Sequence, residues 1–377
     1  MKKFLAIIIS LLTICTAFLS GCSCVPSGNP LEFNNLAVSG SGSQKLDQNT
    51  IEKHTYSVNL NTDYSQSMKL DDFLKTSPVS IQPQNFNGTC VVEISYKPYT
   101  SATIENASDD KVKNNSVLNA LLRKGGTVNV YTYVTTLNLN VNYDFGETQI
   151  DGSEHLDTIK TTTYFVGQEG LYVPLYNKIE NYCNHLAYQN SQFGIMNVYY
   201  DSETVYSSST YSNKTTYYNK QMQQSNQTSF TAKYENGKVY DASSLLFISR
   251  NVIIPSDSYQ IIAFASPSYN KPTEIRFEDK GQTTFAPGFE LRVNAFSENY
   301  TKNTGADVPV NKISYYINDV RMTGVSQELF IQRADAGEVK NRGYLVKYVA
   351  PMMTYGGTSM MLGGLEYNLT NVEIINK

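Results

Sequence analysis

The chain has 377 residues, of which 41% are hydrophobic and 17% charged; 29 are Tyr, and Trp is absent. That balance supports a packed core and excludes general disorder. A net charge of −4 without a basic cluster excludes a nucleic-acid binder, and three His leave little material for a metal enzyme, so no metal and no cofactor is implied.

Met1-Lys2-Lys3 forms a positive start, followed by an apolar run from Phe4 to Phe18 that is too short to read first as a spanning helix. The run ends in Leu19-Ser20-Gly21-Cys22, which resembles the bacterial lipobox: an apolar residue, two small residues, then the cysteine that takes the diglyceride. The resemblance implies that residues 1–21 are a lipoprotein signal peptide. It also makes Cys22 the lipid-attachment residue, palmitate being a typical chain. Each buried CH₂ contributes roughly 0.8 kcal/mol, and two or more acyl chains anchor stably. No later segment approaches ~18 continuous apolar residues. The expected location is therefore the extracytoplasmic face of the cell membrane, with the lipid anchor as the membrane contact.

Residues 22–50 are rich in Ser, Gly and Pro and read as a flexible linker between lipid and fold. Residues 51–125 are expected to form a small α+β segment. His54 to Leu60 alternates as a strand. Met68, Leu70, Phe73 and Leu74 fit a short amphipathic helix ended before Pro78. Thr89 to Tyr96 reads as a strand. Asn115 or Ser116 caps a helix whose last turn carries Arg123 and Lys124 and which stops at Gly125.

From residue 126 to 377 the pattern is β-rich. Thr127 to Tyr143 is a long strand whose apolar phase shifts near Tyr131, which predicts a bulge. Further strands are expected at 157–166, 195–206, 210–218, 228–234, 259–265, 273–278, 289–296, 312–317, 326–332, 343–349 and 365–375. Residues 176–190 look helical. Turn residues punctuate the pattern at Asn236-Gly237, Asn318-Asp319, Gly356-Gly357 and Gly363-Gly364. The expected class is mostly β with a few short helices (α+β).

Motifs for chemistry are sparse. No H-E-x-x-H, G-x-S-x-G or Walker loop is present. Cys183-Asn184-His185 offers two metal-type side chains without a partner cluster, so a helix-borne Cys and an exposed or packed His explain it better. Asp71-Asp72 and Asp109-Asp110 lack the spacing that wraps a calcium ion. No residue is assigned a catalytic role. Beyond Cys22, Cys24, Cys90 and Cys183 remain, an odd set; a Cys90–Cys183 bridge and two buried thiols both stay open.

The segment Val239 to Arg250 reads as a short helix between strands, with Asp241 as N-cap and Arg250 at the negative end of the dipole. Its spacing, Asp241, Ser244, Leu246 and Arg250, resembles an uncharacterised family of exported bacterial β-rich domains of unknown function. That resemblance implies a half-barrel, a curved antiparallel sheet wrapped around a helix, over residues 126–377. It implies a fold and a place, with no reaction attached. The function expected from the sequence is a membrane-anchored surface lipoprotein acting as a non-catalytic binding or scaffold module for an apolar ligand or an envelope protein. A glycan hydrolase using a carboxylate pair and an adhesin-like structural protein are the alternatives.

Overall fold

The computed structural model describes residues 47–61, 80–81, 86–107, 109–147, 149–168, 171–189, 192–234, 239–249, 259–267, 270–295, 297–317, 327–333, 343–353 and 361–377. Cys22, the 68–74 helix, Arg250 and the Asn236-Gly237, Asn318-Asp319 and Gly356-Gly357 turns lie outside these residues.

The strands pair into one large, open, curved sheet, as expected of a half-barrel. In spatial order, the first half runs β9 (Gln224–Lys233), β8 (Thr210–Tyr218), β7 (Gln192–Tyr206), β6 (Leu171–Gln189), β5 (Glu154–Gln168), β4 (Val128–Asp144) and β3 (Asn87–Tyr99). It continues through β1 (Thr50–Asn61) to β18 (Met361–Asn376), β17 (Leu345–Met353), β16 (Glu328–Gln332) and β15 (Val308–Ile317). It ends with β12 (Thr273–Phe285), β11 (Tyr259–Ala265) and the two-residue β10 (Tyr240–Asp241). The short β2 (Ser80–Ile81) pairs with the end of β4. β13 (Glu290–Ala295) lies parallel to the second half of β18 and carries β14 (Glu298–Asn303), a strand not anticipated. The contacts β10–β11 and β13–β18 are parallel, so the sheet is mixed, with antiparallel pairs dominating. Strands from residues 51–125 and from 126–377 share this sheet: β1 pairs with β18, and β3 with β4.

Three expectations are corrected, the last of them at Gly363. Residues 176–190 belong to β6 and are not helical. Asn177, Ile179, Asn181 and Cys183 all point to one buried face. The two asparagines are held there by hydrogen bonds, Asn177 Nδ2 to Thr163 Oγ1 (2.9 Å) and Asn181 Nδ2 to the Val198 carbonyl (2.7 Å). Buried polar groups with partners broke the apolar alternation and left a false helical period. The phase shift near Tyr131 is likewise no bulge, because β4 keeps continuous register with both β3 and β5 there. Instead both faces are covered. Val128 and Val130 bury in a small cluster with Leu118 and Leu122, while Tyr131 and Tyr133 enter the main core. Successive side chains of one strand point to opposite faces, so the phase changes where a second layer is added.

That second layer is α1 (Asp110–Lys113) and α2 (Ser116–Arg123). Asn115 caps α2 as expected, its Oδ1 accepting from the amides of Val117 and Leu118 at 3.0 Å. Its Nδ2 also donates to the Leu175 carbonyl, tying the helix start to β6. Asp109 caps α1 and accepts from the Tyr164 hydroxyl at 2.7 Å. Gly363 lies inside β18, at a register shift between Met352 and Met353 of β17, and does not form a turn. A Cβ there would fall 2.6 Å from the Asn61 carbonyl oxygen, so glycine lets β1 and β18 approach.

Tyrosine supplies much of the main core. Tyr133, Tyr143, Tyr315, Tyr344, Tyr348 and Tyr367 are among the largest fully buried side chains. Within this core the Tyr315 hydroxyl donates to the Tyr348 hydroxyl (3.0 Å), and the buried Tyr56 hydroxyl donates to the Leu345 carbonyl (2.9 Å). Cys90 and Cys183 are both buried free thiols. Burial alone pushes Cys90 well up; at Cys183 burial acts first and the Asp157 carboxylate second.

Candidate functional site

The Asp241 motif sits inside the curl of the sheet. β10 ends at Asp241, a 3₁₀ turn covers Ala242–Ser244, and α3 (Leu245–Ser249) follows. Asp241 has extended backbone, and its Oδ1 accepts from the Ser243 amide at 2.8 Å. Ser244 Oγ donates to the Asp241 carbonyl at 2.7 Å, so the Tyr172 hydroxyl, also 2.7 Å away, donates to Ser244 Oγ. The Tyr206 hydroxyl donates to Asp241 Oδ2 at 2.5 Å. The motif thus joins β6, β7 and β10 through two tyrosines. Burial pushes the Asp241 carboxyl up to about 6, against the lowering effect of the Tyr206 and Ser243 bonds.

α3 fills this space. Leu245 and Ile248 are fully buried, and Leu246 and Phe247 nearly so. The Phe247 ring lies 5.8 Å from Tyr133 and 5.3 Å from Phe165. Between Leu246, Phe247 and the strands β1, β3 and β4 a cavity of about 10 Å³ remains, room for roughly one water. Glu52 Oε1 and His54 Nε2 meet at its wall, 2.7 Å apart and both buried, with Tyr344 edge-on to the imidazole at 5.2 Å. Asp241, Ser244 and Leu246 are therefore brought together as a structural unit around α3.

A second polar array was missed in the sequence. His155 Nδ1 donates to Asp157 Oδ1 at 2.8 Å, and the same oxygen accepts from the Asn184 amide at 2.8 Å. The Tyr199 hydroxyl is 3.2 Å from His155 Nε2 and 3.0 Å from Asn184 Oδ1. Asp157 thereby takes the place of a ladder carbonyl where β5 parts from β6, whose pairing stops at Thr158–Tyr182. His185 is buried, and desolvation lowers its pKa. Among the described residues no group of three or more His, Cys, Asp or Glu is arranged to hold a metal ion. The signal for both His–carboxylate pairs was spacing: Glu52/His54 and His155/Asp157 are two apart on a strand and so share a face.

On the outside, Asp201 accepts from the hydroxyls of Tyr182 (3.0 Å) and Tyr218 (3.1 Å). Nearby, at the far end of β7, an open groove of about 600 Å³ runs past Phe193, Ile195 and Asn197 toward Lys220. The described residues that line it include no carboxylate.

No family model matches the chain, and no curated protein matches it. Among solved structures it is similar to a β-barrel-like protein of a domain of unknown function, DUF1849, from Brucella abortus. That match has 10% identity and a TM-score of 0.35, and covers 87% of this chain and 98% of the other.

Proposed function

We propose that the protein is a membrane-anchored surface lipoprotein whose β-rich domain is a non-catalytic binding or scaffold module for an envelope partner. The sequence Leu19-Ser20-Gly21-Cys22 after a charged start and an apolar run supports the anchor, and the Ser/Gly/Pro-rich stretch that follows supports a spacer. The observation that carries the choice of a partner over an apolar guest is the packing of α3. A carrier for an apolar molecule needs a ligand-sized space within the curl. Here Leu245, Phe247 and Ile248 occupy it, and the adjoining cavity takes about one water. The open surface lies on the outer side of the sheet.

The test is Cys22→Ala with fractionation and labelled palmitate. The expected result is an unlabelled protein that leaves the membrane fraction. A variant that stays membrane-bound and processed removes the anchor. Native mass spectrometry of the detergent-purified chain tests the other half, because co-purifying lipid in stoichiometric amount would restore the carrier reading.

A further inference from the structure

β7 pairs with β6 from Gln192 to Val205, but with β8 only from Tyr199 onward. Over residues 192–198 no described strand lies on its other edge. Alternate residues of an antiparallel strand direct N–H and C=O to opposite edges, so residues 194–197 include backbone groups aimed at this open side. The reason β8 stops is local. Asn219 Oδ1 accepts from the amides of Gln221 and Gln223, both at 3.0 Å, and Met222 takes a left-handed conformation (φ 59°). The chain between β8 and β9 turns back on itself, so over residues 192–198 β6 is the one described strand paired with β7.

The groove of about 600 Å³ borders that edge: its lining runs from Ala187 and Gln189 of β6 across Phe193, Ile195 and Asn197 of β7 to Tyr218 at the end of β8 and Asn219 and Lys220 just past it. Among the described residues of the lining, Lys220 is the one that is charged. Its Nζ is 2.7 Å from Asp151 Oδ2, in an exposed pair with side chains 46% and 89% accessible. Such pairs contribute little, so an incoming carboxylate exchanges for Asp151 at small cost.

We infer that this edge of β7 docks an extended peptide segment of a partner protein, which adds as an antiparallel strand in line with β8 and sets an acidic side chain against Lys220. Only a polypeptide carries N–H and C=O groups at the spacing of a strand edge. Seven positions at about 3.3 Å each give a seat of about 23 Å. In the direction that continues β8, the first residue of the peptide lies by Lys220, so the acidic residue comes first and uncharged residues follow. This rests on the reading of the chain as a binding module and assigns that module a site and a partner chemistry.

The probe is a library of acetylated, amidated heptapeptides with Glu first and Ala, Ser, Thr, Val, Leu, Tyr or Gln after it. Binding to the full chain in detergent is read by fluorescence anisotropy and by hydrogen exchange. The best peptide is expected to slow exchange at residues 194–197. N-methylation of its alternate residues in one phase should weaken binding by about 100-fold or more, since several ladder bonds are lost, while the other phase leaves binding nearly intact. Lys220→Glu should weaken the Glu-first peptide by about two- to five-fold, the scale of an exposed ion pair, and a Lys-first peptide should recover it. The inference is overturned if no library member binds, if both methylation phases behave alike, or if the charge exchange has no effect. Fractionation of Cys22→Ala does not depend on peptide binding, so failure here and failure of the anchor are separate results.

Discussion

Asp241 is a carboxylate enclosed by the fold that accepts from the Tyr206 hydroxyl and the Ser243 amide, and burial is what raises its pKa. Folding raises its pKa from 3.8 to about 6, so the folded state holds this proton more tightly than the unfolded chain. The resulting stability is full below pH 3.8 and is lost as the pH rises through about 6, an order of about 3 kcal/mol across the window. Asp241→Asn keeps an N-cap oxygen and an acceptor for Tyr206 but cannot titrate. Its urea midpoint should therefore fall less than that of the natural chain between pH 4.5 and 7.5. Parallel pH profiles for the two proteins would show that Asp241 does not titrate in this window. Asp241→Ala removes the cap, at about 0.5–2 kcal/mol. It also leaves the Tyr206 hydroxyl buried without its acceptor, at about 1–3 kcal/mol more.

At the scale of elements, α3 places Leu245, Leu246, Phe247 and Ile248 in the main core. Leu246→Ala should destabilise by about 2–5 kcal/mol, read as a lower urea midpoint at constant slope. At the β1–β18 seam, Gly363→Ala places a methyl 2.6 Å from a backbone oxygen, so the strands must shift. A loss of about 1–3 kcal/mol is expected, and an unchanged midpoint would mean that the seam yields freely. Strands such as Thr210–Tyr218 and Tyr259–Ala265 were legible in the sequence to the residue, because their Tyr, Thr and Ile content is itself a strand signal. So was the capped α2, because its stop and start signals are local. β6 was not legible, since Asn177 and Asn181 are buried by partners that lie on β5 and β7, far away in sequence. β14 was missed because Glu298 to Asn303 is largely exposed and carries no apolar alternation. The Asp241 cap was readable from its own segment, whereas its pairing with Tyr206 and Tyr172 depends on the closing of the sheet. The His155–Asp157–Tyr199 array depends on three strands at once.

For the whole molecule, the seam between β1 and β18 brings the two sequence ends of the fold together: the Lys377 amide donates to the Asn49 carbonyl at 2.7 Å. Thr50 faces Asn376, and β1 is hydrogen-bonded on both edges, to β18 and to β3. If Cys22 is anchored, any drag on a partner held at β7 is transmitted to the membrane through β1. A pull along β1 from the residue 47 side, with the fold gripped near residue 192, strains the bonds of both edges in parallel, as a shear. A pull between residue 47 and residue 377 starts at the adjacent ends and opens the β1–β18 bonds one after another, like a zipper. Single-molecule stretching with handles at these two pairs of points should give a clearly higher rupture force for the first geometry. Equal forces would mean that β1 is not the mechanical clamp of the fold. With the higher force in the first geometry, the direction in which the chain is pulled, rather than its overall stability, sets how long a surface attachment survives flow.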